Sequence, residues 1–587
     1  MKYKLLAIGL WFVFSLAGKA QETRPNVILV MTDDQGIGDL GCHGNPWIKT
    51  PNLDRFYTES VRLTNFHVSP LCTPTRAAIM TGQYPINNGA WATFKGRASL
   101  HGSTPTMARL FKENGYTTAM IGKWHLGDNY PSRPSDVGFD FALHHGSGGI
   151  GEITDYWGND YFDDVYLKNN IETQYEGYCT DVWFEESIKF IKENKDKPFF
   201  IYLPTNAPHG PLIVDKKYSD PYEPLEGMKI PSAEYYGMIQ NIDENFGRLD
   251  TFLKANGLAE NTILIFCTDN GTQYGYQNGL GYNKGFRGNK SDKEEGGHRV
   301  PFFLRWPEKG LDNGKDINTL AAHIDLIPTL ASLCGMPIPE SMDLDGVDFS
   351  PALYGQALND RYLFIHHRQD WREPKDVEAS CIIKDKWRLI GGKRLYDVSY
   401  DPGQTMEISA SYPDVVERLL RQNRDFVEKA KKRTEYREFA AAIVGHMAQE
   451  EIKLTIQHAI GDDRAIYRTD QVAMGMKNTN NKHAIEIARD GNYRFELRRW
   501  PKESPGPIKG IQTKPLPDME YQAIAPESAS INIAGQTHSK PISENSEAVV
   551  FDVKLEKGKT LLEADFIEDG QRYGVYFIYS KLLSEEI

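Results

Sequence analysis

The sequence predicts an α/β fold: a large, mostly parallel central sheet flanked by helices, then a small antiparallel-sheet subdomain, then an additional all-β, sandwich-like C-terminal domain. Three observations carry this. From Asn26 to about Ile390, short apolar runs alternate with amphipathic segments, the pattern of parallel strands covered by helices on both faces. Between about 350 and 435, strand-like runs at Tyr362 to His366 and Ser380 to Ile390 precede a helical stretch from Asp414 to Lys431. Beyond about 436 the period becomes two, as in Ile452, Leu454 and Ile456 or Val549, Phe551, Val553 and Leu555, punctuated by Ser504-Pro505-Gly506-Pro507.

In chain order the expected units are a signal peptide (1–20), a catalytic α/β domain (21–349), a small antiparallel sheet plus helix (350–435) and a β-sandwich-like accessory domain (436–587). The amino terminus carries Lys2 and Lys4, an apolar run from Leu5 to Ala17, and small residues at Gly18 and Ala20. This is the pattern of a secretory signal cleaved after Ala20, implying export to the periplasm or beyond. The run is shorter than the roughly 20 residues that span a bilayer, so no stable membrane span is expected.

Four apolar runs end in unusual polar residues. Val27 to Met31 ends in Thr32-Asp33-Asp34-Gln35-Gly36, and Thr117 to Ile121 in Gly122-Lys123-Trp124-His125. Phe199 to Leu203 runs into Ala207-Pro208-His209-Gly210-Pro211, and Ile263 to Cys267 ends in Thr268-Asp269-Asn270-Gly271. Ligands of open α/β sheets bind beyond the carboxyl ends of the strands, so these ends should bring carboxylates, an amide, a lysine and two histidines to one rim.

At 587 residues the chain needs more than one core. Its 40% hydrophobic and 25% charged residues are those of a folded globular protein. A net charge of -13 argues against nucleic acid, whose contacts rest on Lys and Arg neutralising phosphates. Six cysteines in so long an exported chain make no dense disulfide framework; Cys267, inside an apolar run, and Cys334, at helical spacing from Leu330, read as buried free thiols.

In the stretch Ser69-Pro70-Leu71-Cys72-Thr73-Pro74-Thr75-Arg76-Ala77-Ala78-Ile79-Met80-Thr81-Gly82, Cys72 precedes an expected helix with Pro74 in its first turn and Gly82 near its end. A helix start favours an anion, so Cys72 stands where a sulfate could be met. As a plain thiolate it lacks a neighbouring base, and its sulfate adduct would be hard to hydrolyse. Asp33, Asp34, Asp269 and Asn270 supply hard oxygen donors from two turns, suited to calcium or magnesium rather than zinc.

Cys72-Thr73-Pro74-Thr75-Arg76 with Thr81-Gly82 resembles the signature of formylglycine-dependent sulfatases, on the alkaline-phosphatase-like fold. The resemblance extends to the four strand ends, to Lys290 before Glu295-Gly296-Gly297 and to Asp325-Leu326-Ile327-Pro328-Thr329, spanning about 24 to 435. It implies that a formylglycine-generating maturation enzyme oxidises Cys72 to 3-oxoalanine. The aldehyde hydrate then offers one hydroxyl to attack sulfur and a second to expel sulfate. It also implies one Ca2+ held by Asp33, Asp34, Asp269, Asn270 and the residue at 72.

By the same resemblance Lys123 and Lys290 bind the sulfate, His125 assists its elimination, His209 acts near the leaving oxygen, and Arg76 holds the hydrate and its turn. The chain departs from the family at His298, where an apolar residue is common, which makes His298 a candidate substrate contact. His366, His367, Arg368, Trp371 and Arg372 fall where such enzymes shape specificity. The expected substrate is a sulfated carbohydrate attacked at a chain end. The competing readings are an arylsulfatase, a phosphatase or phosphonate hydrolase on the same fold, and a glycan-binding protein that has lost catalysis.

Overall fold

The computed structural model describes residues 24–223, 229–374 and 377–585. The signal-peptide expectation falls on residues 1–20, outside the described residues. Strands β1 (Asn26–Thr32), β2 (Thr117–Lys123), β3 (Phe199–Pro204) and β4 (Thr262–Thr268) lie side by side in the order β4-β1-β3-β2, all parallel. They read as continuous apolar runs because helices cover both faces, so both sets of alternating side chains are buried. Phe141–His145 continues the parallel set beyond β2.

The edges differ from the centre. Phe302–Arg305 joins β4 antiparallel, with Val61–Leu63 and Asp316–Ile317 beyond it, and Val165–Lys168 and Ile171–Gln174 extend the other edge antiparallel, completing a ten-stranded sheet. Val165–Lys168 and Ile171–Gln174 form a hairpin, which needs none of the long crossover a parallel neighbour requires.

The register of β1 on β4 pairs Thr32 with Thr268, so Asp33-Asp34 and Asp269-Asn270 leave the sheet as adjacent turns. The Asp269 amide donates to the Thr32 carbonyl at 3.0 Å. Gly122, near the end of β2, has φ +123, and a Cβ there would sit 1.9 Å from the Pro204 oxygen. Glycine is therefore required for β2 to approach the end of β3.

Helix α1 (Cys72–Thr81) packs with all ten residues buried and stops at Gly82, whose φ of +66 is the left-handed cap that favours glycine. Cys72 is its first residue rather than the residue before it.

A four-stranded antiparallel sheet follows, built from Leu363–His366, Ser380–Lys384, Trp387–Ile390 and Arg394–Asp397, with helix α2 (Pro413–Ala430) against it. The Ser380 to Ile390 stretch is a hairpin, and the last of the four strands had no separate sequence signal.

The C-terminal part is all β: a six-stranded sheet, which includes Lys482–Ile487 and Gly558–Glu568, and a four-stranded one made by Glu451–Thr455, Phe577–Glu585, Gly491–Arg498 and Ala548–Leu555. Tyr493, Phe495, Leu497, Trp500 and Phe566 are fully buried in one core, each contributing roughly 1.5–3 kcal/mol where burial is complete. Two residues of the α/β part, Ile153 and Trp157, belong to that same core. Among the described residues no helix is long and apolar enough to cross a membrane, and all six cysteines are free, Cys267 and Cys334 buried.

Candidate active site

The carboxyl ends of β1, β2 and β4, the turn after β3 and the start of α1 converge on one fully buried cluster of charge. Asp33, Asp34, Asp269, Arg76 and Lys123 are all 0% exposed. Lys123 ion-pairs with Asp33, and the Lys290 Nζ lies 2.7 Å from Asp34 Oδ2. Arg76 donates to Asp269 Oδ2 and to the Lys123 carbonyl, each at 2.8 Å. Three acids thus face three bases, which offsets much of the desolvation of each. Despite burial, which pushes upward, Lys290, His209 and Lys123 hold Asp34 down at about 2. Asp269 goes the other way, to about 7, through burial and the charge of Asp33.

Two oxygens in this cluster, Asp33 Oδ1 and Asn270 Oδ1, are buried without a hydrogen-bond partner among the described residues. The Asn270 amide nitrogen is already committed to Asp34 Oδ1 at 2.8 Å, which fixes its oxygen as a free acceptor. Orphaned buried acceptors are costly, and a cation is what a set of bare carboxylate and amide oxygens accommodates. Ligand atoms of Asp33, Cys72 and Asp269 lie within 4.8 Å of one another. The donor set fits a hard divalent ion.

Cys72 stands at the open end of α1, where Leu71 provides no side-chain cap, so the first-turn amides remain available to an anion. Burial, with Asp33 and Asp269 nearby, pushes the Cys72 thiol up to about 11 although Lys123 and Lys290 pull it down. At neutral pH this thiol is protonated and makes a weak nucleophile.

The Cys72 Sγ lies 3.4 Å from His125 Nδ1. His125 Nε2 sits 3.1 Å from the Thr93 carbonyl, which can only accept, so Nε2 carries the proton and Nδ1 presents a lone pair toward Cys72. Burial, Lys123 and Arg76 keep His125 neutral, well below the usual histidine range. His209 Nδ1 donates to the Gly210 carbonyl at 2.7 Å, leaving Nε2 3.7 Å from Asp34 Oδ2. Burial and Lys290 hold His209 at about 4.

Cys72, Arg76, Lys123, His125, His209 and Lys290 therefore come together with Asp33, Asp34, Asp269 and Asn270. Arg76 clamps the carboxylates and the end of β2. The six candidates for specificity divide. His298 is 0% exposed, its Nδ1 3.0 Å from His67 Nδ1 and its Nε2 donating to the Lys293 carbonyl, so the structure places it in the interior. His366 is likewise buried, stacked on Phe426 at 5.8 Å, and packs the small sheet on α2. His367 and Arg368 are half-buried, with Arg368 3.7 Å from Asp370.

Trp371 and Arg372 lie on a loop tied to the site. Gln369 Oε1 accepts from the Thr93 amide at 3.0 Å, and the Trp91 indole donates to the Asp370 carbonyl at 3.1 Å. Residues without a sequence signal complete the surroundings. Gln273 Oε1 accepts from Lys290 at 2.9 Å, and the Tyr235 hydroxyl donates to the Asp34 carbonyl at 2.8 Å. Thr93 acts through its backbone carbonyl, which no residue type advertises. Gln273 could have been found, since it follows Asn270 by three positions in the same turn.

Comparison with known proteins agrees with this geometry. A family model described as Sulfatase matches residues 25–336, and one described as N-sulphoglucosamine sulphohydrolase, C-terminal, matches 289–429. Human steryl-sulfatase is 30% identical over 461 residues, covering 62% of this chain and 76% of its own. The dog N-acetylgalactosamine-6-sulfatase is 31% identical over 368 residues, covering 58% and 68%. Among solved structures, Ps i-CgsB in complex with k-i-k-neocarrahexaose superposes with a TM-score of 0.63 at 26% identity, over 71% of this chain and 95% of its own.

Proposed function

This chain belongs to the sulfatase family, and from that premise we propose that it hydrolyses sulfate esters of carbohydrate with a formylglycine formed from Cys72 and one bound calcium ion. The observation that carries the nucleophile is the state of Cys72: a thiol raised to about 11 is a poor nucleophile, yet it stands at an uncapped helix start beside a neutral histidine and two lysines. A site built this well around a weak nucleophile makes sense if the residue is modified. The hydrated aldehyde at position 72 supplies an oxygen to attack sulfur and a second hydroxyl whose ionisation releases sulfate.

The chain's own residues divide the remaining work. His125, with its proton on Nε2 and a lone pair on Nδ1, takes a proton from the group at 72. Lys123 and Lys290 neutralise the sulfate oxygens as charge shifts toward the leaving alcohol. His209 delivers a proton to that alcohol from Nε2. In the free protein it is held at about 4, and the negative charge of a bound sulfate ester raises its proton affinity. Asp33, Asp34, Asp269 and Asn270 would hold the calcium, which supplies Lewis-acid polarisation of the sulfate oxygens.

Carbohydrate is supported by relatives and structural neighbours whose names carry a sulfated sugar or a bound oligosaccharide. Export to the periplasm, attack at a chain end and the unit boundaries 21–349, 350–435 and 436–587 belong to the same reading. The test is a screen of defined sulfated mono- and oligosaccharides, a small aryl sulfate and a phosphate monoester with calcium present. Sulfate release from a sugar is expected to dominate; faster phosphate release overturns the reading. Mass spectrometry of active protein should show a loss of about 18 Da at Cys72.

A further inference from the structure

The all-β region lies beyond both family models, which end at residues 336 and 429, yet one of its segments touches three loops near Cys72, those carrying Thr93, Glu152 and Trp371. We propose that this segment, Ile456 to Thr469, forms one wall of the substrate cleft and makes the protein selective for oligosaccharides. Glu152 takes ring hydroxyls, and Trp371 stacks on a sugar beyond the sulfated one.

The first contact is at the loop that fixes His125. Thr93 accepts from His125, and two residues on, the Lys95 amide donates to the Gln457 carbonyl at 3.4 Å. The second is at the loop from Gly146 to Asp155. Gly148 lies so close to His125 that a Cβ there would sit 2.4 Å from the ring. Glu152 Oε2 gathers the Ser147 hydroxyl at 2.7 Å, the Gly148 amide at 3.2 Å and the Gln457 side-chain amide at 2.6 Å. The Ile153 amide donates to the Tyr467 carbonyl at 2.9 Å, and Ile153 and Trp157 are seated in the β core, where Trp157 meets Trp500 edge-on at 5.8 Å.

Glu152 Oε1 takes no hydrogen bond among the described residues; its three donors all go to Oε2. A carboxylate with one oxygen anchored and the other not hydrogen-bonded, on the loop that packs against His125, is placed to accept from a sugar hydroxyl.

The third contact is at the Gln369 to Arg372 loop. Asp462, itself 66% exposed, accepts the Trp371 indole N–H at 3.0 Å and pairs with Arg372, whose guanidinium lies 4.9 Å from the Trp371 ring centroid. Asp462 thus acts as a positioning residue: it holds an amphipathic ring at the rim, and a preorganised ring binds a sugar face without first being ordered.

The inference rests on the carbohydrate reading, and the test separates the two. Full-length wild type, Asp462→Ala, Asp462→Asn and Trp371→Ala are assayed on a small aryl sulfate, on the best sulfated monosaccharide and on an oligosaccharide ending in that sugar. Wild type should prefer the oligosaccharide by roughly tenfold in kcat/KM. Asp462→Ala and Trp371→Ala should erase that preference through KM, with kcat and aryl sulfate turnover retained, and Asp462→Asn, which keeps an acceptor for the indole, should restore most of it. Equal wild-type rates on the mono- and oligosaccharide overturn the inference alone, as does a parallel loss on all three substrates. Turnover of aryl sulfate with none of any sugar overturns the carbohydrate reading beneath it.

Discussion

The rim of the central sheet and the interior of the all-β region are built by opposite rules. Around Cys72 the protein buries Asp33, Asp34, Asp269, Arg76 and Lys123 completely, and it leaves Asp33 Oδ1 and Asn270 Oδ1 without partners among the described residues. The sandwich fills itself with Tyr493, Phe495, Leu497, Phe551, Phe566 and their neighbours. Among its described residues only Arg499 and Asp565 are charged side chains below 2% exposure. Buried ion pairs contribute little net stability, whereas apolar burial contributes roughly 25 cal/mol for each Å² removed from water. The rim is therefore organised for chemistry at the expense of stability, and the sandwich supplies stability to the loop that carries Glu152.

Four measurements would break or sharpen that contrast. The largest effect is expected for Cys72→Ala, which should lower sulfate release by at least about 10,000-fold while the melting temperature stays near wild type. Substantial residual turnover would mean that another group attacks sulfur. Lys290→Ala should reduce kcat by about 100-fold without unfolding the protein, because the proposed mechanism has Lys290 neutralise the sulfate, and its side chain keeps some exposure where that of Lys123 has none. An unchanged kcat would remove it from the site.

In the sandwich the order reverses. Arg499 donates to the carbonyls of Gly510, Val472, Ala473 and Gln522 at 2.7–3.0 Å. Arg499→Met should cost about 2–4 kcal/mol in denaturant melts, since those buried acceptors lose their donor, yet leave kcat on a small aryl sulfate intact. Loss of kcat with stability unchanged would contradict the division of labour.

The smallest effect is in pH dependence. Burial holds His298 at about 4 and His323 and His483 at about 3, so each is neutral when folded, whereas an unfolded histidine protonates near about 6.5. A depressed folded value means that the stability is fully present above about 6.5 and is lost as pH falls from there toward about 3. Melts at pH 7 and pH 5 should differ in that direction, and an increase in stability at pH 5 would refute it.

The site and the rest of the fold were unequally legible. The strand ends could be read because an apolar run followed by Asp33-Asp34 or Asp269-Asn270 is a local pattern, and parallel pairing in register turns four such patterns into one rim. His298 drew notice as a polar residue in an apolar position, and the structure sets it in the interior against His67 and the Lys293 carbonyl. Glu152, Gln457 and Asp462 gave no signal. They are polar residues on irregular segments, and Glu152 and Gln457 lie 305 positions apart.

By itself, then, the sequence determined the class of fold, the polar strand ends that gather beside Cys72, and the alternation that makes the C-terminal part all β. Each rests on neighbours in the chain: a period, a turn, a helix start. The tertiary structure alone decided which nitrogen of His125 bears the proton, which specificity candidates are buried, and that Ile456 to Thr469 meets the loops carrying Thr93, Glu152 and Trp371. Those depend on where distant backbone carbonyls and exposed side chains come to rest, and the packing of separate cores sets that, without leaving a periodic trace in the chain.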